Sequence, residues 1–193
     1  YVHERRARVL ATRLAELIPA RQSVLDVGCG DGLIDALLMT GRPDLDIDGV
    51  DLAVRPNARI PVVVFDGHRL PYPDRSRDLV LFCDVLHHAD RPEALLCEGR
   101  RVARRRVLIK DHFAATSIDR AVLRLMDFTG NAPHGVATPY RYFSPSEWDE
   151  AWRVARLSVH RLTRELHMYP WWLDAFFGRR LHFIAALDCN HGT

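Results

Sequence analysis

The residues best suited to chemistry in this 193-residue chain are a glycine turn, a set of acidic residues that close apolar runs, and histidines near them. Asp26-Val27-Gly28-Cys29-Gly30-Asp31-Gly32 follows a short apolar run and precedes a helical stretch. In that setting backbone amides and a helix N-terminus face a ligand at the strand's carboxyl end, and glycine lets the backbone approach it closely. The glycines stand at 28, 30 and 32 and position 33 is Leu, so the dinucleotide pattern G-x-G-x-x-G is not met. No Gly-Lys-Ser/Thr follows, which excludes a P-loop. Asp51, Asp66 and Asp84 close or follow three further apolar runs. Singly, each has an ordinary role in a turn or helix cap. Together, at the strand ends of an open α/β sheet, they converge on one crevice. Asp51 lies about 20 residues beyond the turn, the separation at which a carboxylate accepts hydrogen bonds from ribose hydroxyls, and so predicts a nucleoside-containing ligand.

The elements that must position these groups follow from periodicity. Apolar residues recur at helical spacing from Glu4 to Ile18, and Pro19 stands where that helix should stop. Ser23 to Val27 reads as a strand, and Leu33 to Met39 as a helix ended near Gly41 and Pro43. Ile47–Leu52, Val62–Phe65, Asp78–Cys83 and Val107–Lys110 read as further strands, the last preceded by a helix from Pro92 to Ala103. Strands alternating with helices predict a parallel sheet covered on both faces. After Asp111, helices over Ile118–Phe128 and Glu147–Val154 flank a stretch rich in Gly, Pro, Tyr and His from Gly130 to Pro145. Residues 113–145 are therefore expected to form a lid. Leu157–Leu162 and Leu181–Leu187 are strand-like and lack a crossover unit between them, so an antiparallel pair is expected. The aromatic stretch between them, Tyr169 to Phe177, reads as core or subunit contact.

Bulk properties narrow the class. The length suits one domain over residues 1–193, and apolar (48%) and charged (27%) fractions are those of a globular chain. No apolar run is long enough to span a membrane. Lys+Arg 27 against Asp+Glu 25 gives +2, so no nucleic-acid partner is expected. The basic cluster Arg100–Arg106, broken by Val102 and Ala103, reads as the solvated end of a helix before a strand. Cys29, Cys83, Cys97 and Cys189 contain no C-x-x-C pair, so neither a metal site nor a disulfide framework is expected. No export leader is read, and a reducing cytoplasm is the expected compartment.

The motifs resemble those of class I S-adenosylmethionine-dependent methyltransferases, in particular the small-molecule branch of ubiquinone and menaquinone biosynthesis. Val24 to Gly32 is similar to the family's first motif, and Gly49-Val50-Asp51 to its second-strand ending. Asp66-Gly67-His68-Arg69-Leu70-Pro71-Tyr72 resembles the adenine-flanking segment, and Asp78 to His88 the fourth strand with its following Leu-His-His. The resemblance covers residues 20–112. It departs from the family in the arginines of Val102–Val107, where a Gly-Gly turn is usual, and in Arg77, where an aromatic residue is usual. It implies a Rossmann-like α/β fold with a mostly parallel seven-stranded sheet, an antiparallel C-terminal strand and helices on both faces. It also implies S-adenosylmethionine as cofactor and S-adenosylhomocysteine as product. On the family's pattern Gly28 and Gly30 approach the methionine moiety, with Asp26 and Cys29 beside them. Asp51 binds the ribose with Leu52 adjacent; Asp66, Gly67 and His68 border the adenine; Cys83, Asp84 and His88 lie beside the cofactor at the fourth strand's end.

Methyl transfer from a sulfonium is an in-line displacement with a good leaving group, so holding the nucleophile in line contributes much of the acceleration. A proton-bearing acceptor also needs a base, and histidine titrates in the right range. His112 is the first candidate, because Lys110-Asp111-His112 ends the fifth strand; His88 and His134 follow. Asp111, His112, Asn131, His134, Tyr140 and Tyr142 are the candidate acceptor-binding residues, polar heads among aromatic walls. The expected partner is a small organic acceptor, methylated at O, N or C, with the protein a monomer or homodimer. The competing readings are a catalytically silent partner subunit and an RNA or protein methyltransferase.

Overall fold

A computed structural model describes residues 2–131, 141–169 and 181–190. Helix α1 (Val2–Ala15) leads into strand β1 (Ser23–Val27), helix α2 (Leu33–Gly41), strands β2 (Asp46–Asp51), β3 (Val62–Val64) and β4 (Arg77–Cys83), and helix α3 (Pro92–Val102). Strand β5 (Ala103–His112), helices α4 (Ser117–Asn131) and α5 (Pro145–Val154), and strands β6 (Leu157–Thr163) and β7 (His182–Cys189) complete the order.

The seven strands form one sheet in the order β3-β2-β1-β4-β5-β7-β6. Pairing is parallel from β3 through β5, whereas β7 runs antiparallel to both β5 and β6. The order reverses at β1, because β2 lies on one side of it and β4 on the other. Ligands of open α/β sheets bind in the crevice beyond the carboxyl ends of the strands at such a reversal.

Strand alternation sorts the core into two layers. Val24, Leu79, Leu81, Leu108 and Ile184 face Leu10 and Leu14 of α1 and Leu38 of α2. Leu25, Val80, Phe82, Ile109 and Phe183 face Leu95 and Leu96 of α3 and Trp148 and Trp152 of α5. Local signals fix the helix starts. Pro92 opens α3, and α5 begins with a capping box in which Ser144 and Glu147 exchange side-chain and backbone hydrogen bonds, with Pro145 next.

Two expectations need correction. The helix expected to Ile18 ends at Ala15, three residues before Pro19's neighbour, in a turn closed by Ile18 N donating to Leu14 O. The basic cluster is not wholly the end of a helix: Arg100 and Arg101 close α3, but Arg104, Arg105 and Arg106 lie in β5. Pairing explains it, since Arg104 meets Asp78 at 2.7 Å and Arg106 meets Asp188 at 2.7 Å. Arg77 likewise pairs with Asp48 and lies over the Tyr72 ring.

Candidate functional site

The glycine turn sits between β1 and α2 in the left-handed conformation, with φ of 75° at Gly28 and 63° at Gly30. A Cβ at Gly28 would overlap Val85, which locks the turn to the end of β4, whereas one at Gly30 would meet nothing nearer than Arg55 at 3.8 Å. The turn is further held by Asp51, whose carboxylate accepts from Gly30 N at 2.8 Å and from Leu52 N at 2.7 Å. Each oxygen retains acceptor capacity, and the residue is only half-buried, so a diol can still reach it. Asp66 is exposed and accepts from the backbone N–H of His68 and Arg69, both at 2.8 Å, an arrangement that holds its carboxyl below the ordinary value. Leu52, 65% exposed, stands beside Asp51.

A cleft lined by Arg6, Asp26, Gly28, Cys29, Cys83 and Asp84 opens between the turn, α1 and the end of β4. Arg6 pairs with Asp84 from the α1 side. The fully buried Lys110 of β5 pairs with the same carboxylate and approaches His182 Nδ1 at 3.4 Å. Burial alone would raise the Asp84 carboxyl, but Lys110 and Arg6 overcome it and hold it well below the usual range. In return, burial keeps the Lys110 ammonium below its ordinary value despite Asp84.

Behind the cleft lies a second polar group. Asp111 Oδ1 accepts from His87 Nδ1 at 2.7 Å, from His112 N at 2.8 Å and from His112 Nδ1 at 3.2 Å. His87, Asp111 and His112 are each buried to within a few per cent. The His112 Nε2 is 3.6 Å from Asp84, so this ring lies between the two carboxylates. Burial and then Lys110 lower the His112 pKa, leaving a neutral ring. Burial would raise the Asp111 carboxyl, but its interactions with His87 and His112 outweigh that and hold it below the ordinary carboxylate range. Tyr142 stacks on His87 at 5.8 Å, and His88 lies 3.9 Å from it, centroid to centroid. Asp84, His87, Asp111 and His112 place one ligand atom each within 4.8 Å of the others, a donor set of metal-binding type. One of its carboxylates, Asp84, already pairs with Lys110 and Arg6.

The structure thus brings Asp26, Gly28, Cys29, Cys83 and Asp84 to one cleft, and Asp111, His112, His88 and Tyr142 to the group behind it. His134 and Tyr140 lie outside the described residues, as does the side chain of Asn131. Sequence reasoning missed Arg6, His87, Lys110 and His182. For His182 the register is the signal: antiparallel pairing sets it directly opposite His112.

A sheet of this order, with a glycine turn and an acidic second-strand end at its reversal, defines the class I S-adenosylmethionine-dependent methyltransferase fold. The chain belongs to the methyltransferase-domain family, which it matches over residues 1–184. It is 34% identical over 110 residues to 27-O-demethylrifamycin SV methyltransferase of Amycolatopsis mediterranei, a match covering 49% of this chain and 40% of that protein. The chain therefore spans well under two thirds of that curated relative. Among solved structures, the Haloferax volcanii methyltransferase in complex with the Trm112 methyltransferase activator superposes with a TM-score of 0.73 at 18% identity, over 99% of this chain and 92% of that one. Geranyl diphosphate C-methyltransferase of Streptomyces coelicolor A3(2), in complex with Mg2+, geranyl diphosphate and S-adenosyl-L-homocysteine, gives 0.69 at 16% identity, over 93% and 78%. These likenesses show the fold.

S-Adenosylmethionine is the cofactor of this family, and the cleft fits it. Asp26 lines the cleft while 97% buried, and its Oδ1 has no hydrogen-bond partner among the described residues. A buried acceptor without a donor is a costly feature unless a cationic or N–H-bearing group arrives to meet it. The methionine end of the cofactor carries such a group.

Proposed function

We propose that the protein methylates a hydroxyl group of a small organic acceptor, with His87, oriented by Asp111, as proton acceptor. The observation that carries this reading is the 2.7 Å contact between His87 Nδ1 and the buried Asp111 at the carboxyl ends of β4 and β5. A carboxylate on Nδ1 sets the tautomer with the lone pair on Nε2 and stabilises the ring once protonated. His112, the first candidate on position, suits the task less well, since its Nε2 faces Asp84 and Lys110 lowers its basicity. The rifamycin-type relative, an O-methyltransferase by name, supports a hydroxyl acceptor.

When bound, S-adenosylmethionine supplies an electrophilic methyl group. Gly28 and Gly30 let the backbone approach its amino-acid end, Asp51 receives the ribose hydroxyls, and Leu52 with the Asp66–His68 turn borders the adenine. The acceptor side is assigned to the described part of the expected lid, helix α4 and Tyr142, where Ile118 of α4 is 75% exposed. RNA and protein acceptors are not favoured, given the net charge of +2.

The test is incubation of the protein with S-adenosylmethionine and a panel of phenols and hydroxylated macrocycles, read by S-adenosylhomocysteine release and product mass. Transfer to hydroxyl acceptors, lost in His87→Gln with cofactor affinity retained, supports the reading. Equal turnover of the variant sinks the proton-acceptor assignment.

A further inference from the structure

The polar group behind the cleft draws its members from two strand ends. Asp84 follows β4 in the left-handed conformation, with φ of 56°, and its N donates to the Lys110 carbonyl at 2.8 Å, which ties it to β5. His87 comes from the turn Leu86–His88 just beyond, and Asp111 and His112 close β5. One ligand atom from each of the four lies within 4.8 Å of every other. The shorter separations are 2.7 Å from His87 Nδ1 to Asp111 Oδ1, 3.2 Å from His112 Nδ1 to the same oxygen, and 3.6 Å from His112 Nε2 to Asp84 Oδ1. A tetrahedral ion with bonds of about 2.0–2.2 Å sets its ligand atoms roughly 3.4 Å apart, so side-chain adjustments of about an ångström suffice to seat one. Two imidazoles beside two carboxylates select a zinc-like cation over Mg2+ or Ca2+, which favour all-oxygen ligands. Hydrogen bonding leaves one member unsatisfied. Asp111 Oδ1 receives all three nitrogen contacts, while Asp111 Oδ2, on a residue 1% exposed, has no hydrogen-bond partner among the described residues. A buried carboxylate oxygen without a donor is costly, and a cation relieves it.

We propose that Asp84, His87, Asp111 and His112 form a site for one divalent cation of the zinc type, and that the ion inhibits methyl transfer by replacing the proton on His87 Nδ1. Its effect on turnover rests on the proton-acceptor reading; its binding does not. In the metal-free group the His87 proton lies on Nδ1, toward Asp111, and the lone pair is on Nε2. An ion bonded to Nδ1 uses the electron pair there, so the single proton of the neutral ring is transferred through solvent to Nε2. One N–H bond breaks and one forms, and the ring keeps no lone pair with which to take a proton from an acceptor hydroxyl. Asp84 and Asp111 enter as carboxylates. Asp84 gives one oxygen to Lys110 and the other to Arg6, yet each oxygen keeps a further lone pair for the ion. Both cations repel the newcomer, which makes it a reversible ligand and not a permanent structural ion.

The experiment is titration of the chelator-treated, thiol-reduced protein with CoCl2, read by visible absorption, followed by ZnCl2 as competitor. The wild type should take up one Co2+ per chain with the strong visible absorption of a four-coordinate ion, displaced by Zn2+ and untouched by excess Mg2+. Asp111→Asn and His112→Gln should each weaken Co2+ binding at least about tenfold, the lower end of what loss of even an outer-shell partner costs. Lys110→Met removes a neighbouring charge and should strengthen it at least about fivefold. A cooperative thermal melt shows that each variant is folded. Methyl transfer should fall in step with Zn2+ occupancy and return with chelator. No uptake by the wild type overturns the site. Thiolate charge-transfer bands, or wild-type affinity in Asp111→Asn and His112→Gln, mean an adventitious ion only and overturn it as well. Weaker or unchanged binding in Lys110→Met removes Asp84 from the set and overturns the four-residue site. Zn2+ bound by these criteria with turnover unaffected overturns the inhibition, and with it His87 as proton acceptor, while the metal site stands.

Discussion

His87 and His112 approach the same Asp111 oxygen, yet their second nitrogens are set to different uses. The His112 Nε2 is turned to Asp84, where Lys110 and Arg6 already provide the counter-charge. A proton placed on that ring would be disfavoured by its burial and repelled by Lys110, so His112 is less suited to taking a proton from an acceptor. His87 has the Asp111 carboxylate on one nitrogen and the aromatic Tyr142 beside it. Asp111→Asn preserves the shape but presents an amide to His87 Nδ1; we expect kcat to fall by about 10²- to 10³-fold, within the usual contribution of a positioned proton acceptor. Cofactor affinity should hold within a factor of two, and stopped-time product assays with calorimetry check both. At the other end of the site, Asp51→Ala releases Gly30 N and Leu52 N and removes the diol acceptor. It should weaken S-adenosylhomocysteine binding by roughly 1.5–3 kcal/mol, the scale of hydrogen bonds to a charged group, and an unchanged dissociation constant would sink the ribose assignment.

At the scale of elements, α5 is tied to the site it never enters. Trp148 is buried and donates from Nε1 to the His112 carbonyl at 2.9 Å, and its ring meets Phe143 and Phe183 edge-on. The helix that carries it is fixed at its start by Ser144, so a loosened cap should be felt at the end of β5. Ser144→Ala removes the bond to Glu147 N and should cost about 1 kcal/mol of stability, read as a lower urea midpoint with an unchanged slope. The elements themselves were legible in the sequence, because β1, β4 and β7 are short apolar runs bounded by turn residues. β5 was read too short, since the arginines of its first half look like a solvated helix end until Asp78 and Asp188 are seen beside them. The glycine turn and its acids were legible for a related reason: their spacing along the chain is itself the motif. Arg6 and Lys110 were not, because nothing local separates Arg6 from Arg5 or Arg8. Only the docking of α1 on the sheet brings it to Asp84. Of the adjacent histidines the sequence points to His88 as a candidate and not to His87, and which of the two faces Asp111 depends on a turn, Leu86–His88, whose facing is a tertiary outcome.

For the whole molecule, the buried charges oppose one another in their effect on stability. Asp84 and Asp111 have folded-state values below their unfolded ones, so they stabilise the protein above the unfolded carboxylate pKa and that contribution is lost as pH falls through the acid range. His182, lowered first by burial and then by Lys110, acts in the same direction: the unfolded chain takes up its proton near 6.5 and the folded chain does not, so stability falls below that pH. Asp26 and Asp35 run the other way. Their folded-state values lie above the unfolded ones, Asp35 at about 6, so the folded protein holds protons that the unfolded chain has released, and the pair destabilises the fold at neutral and higher pH. Asp35→Asn removes the buried charge without changing the shape of the side chain. It should therefore raise the melting temperature at pH 8, by about 2–4 °C for each kcal/mol relieved in a chain of this size. The gain should shrink as pH falls through 6 toward 4, where wild-type Asp35 is protonated in the fold, and Asp84, Asp111 and His182, common to both proteins, cancel in the difference. Thermal melts of both proteins across that range decide it: a difference that is constant with pH would mean that Asp35 is not charged in the folded protein at pH 8.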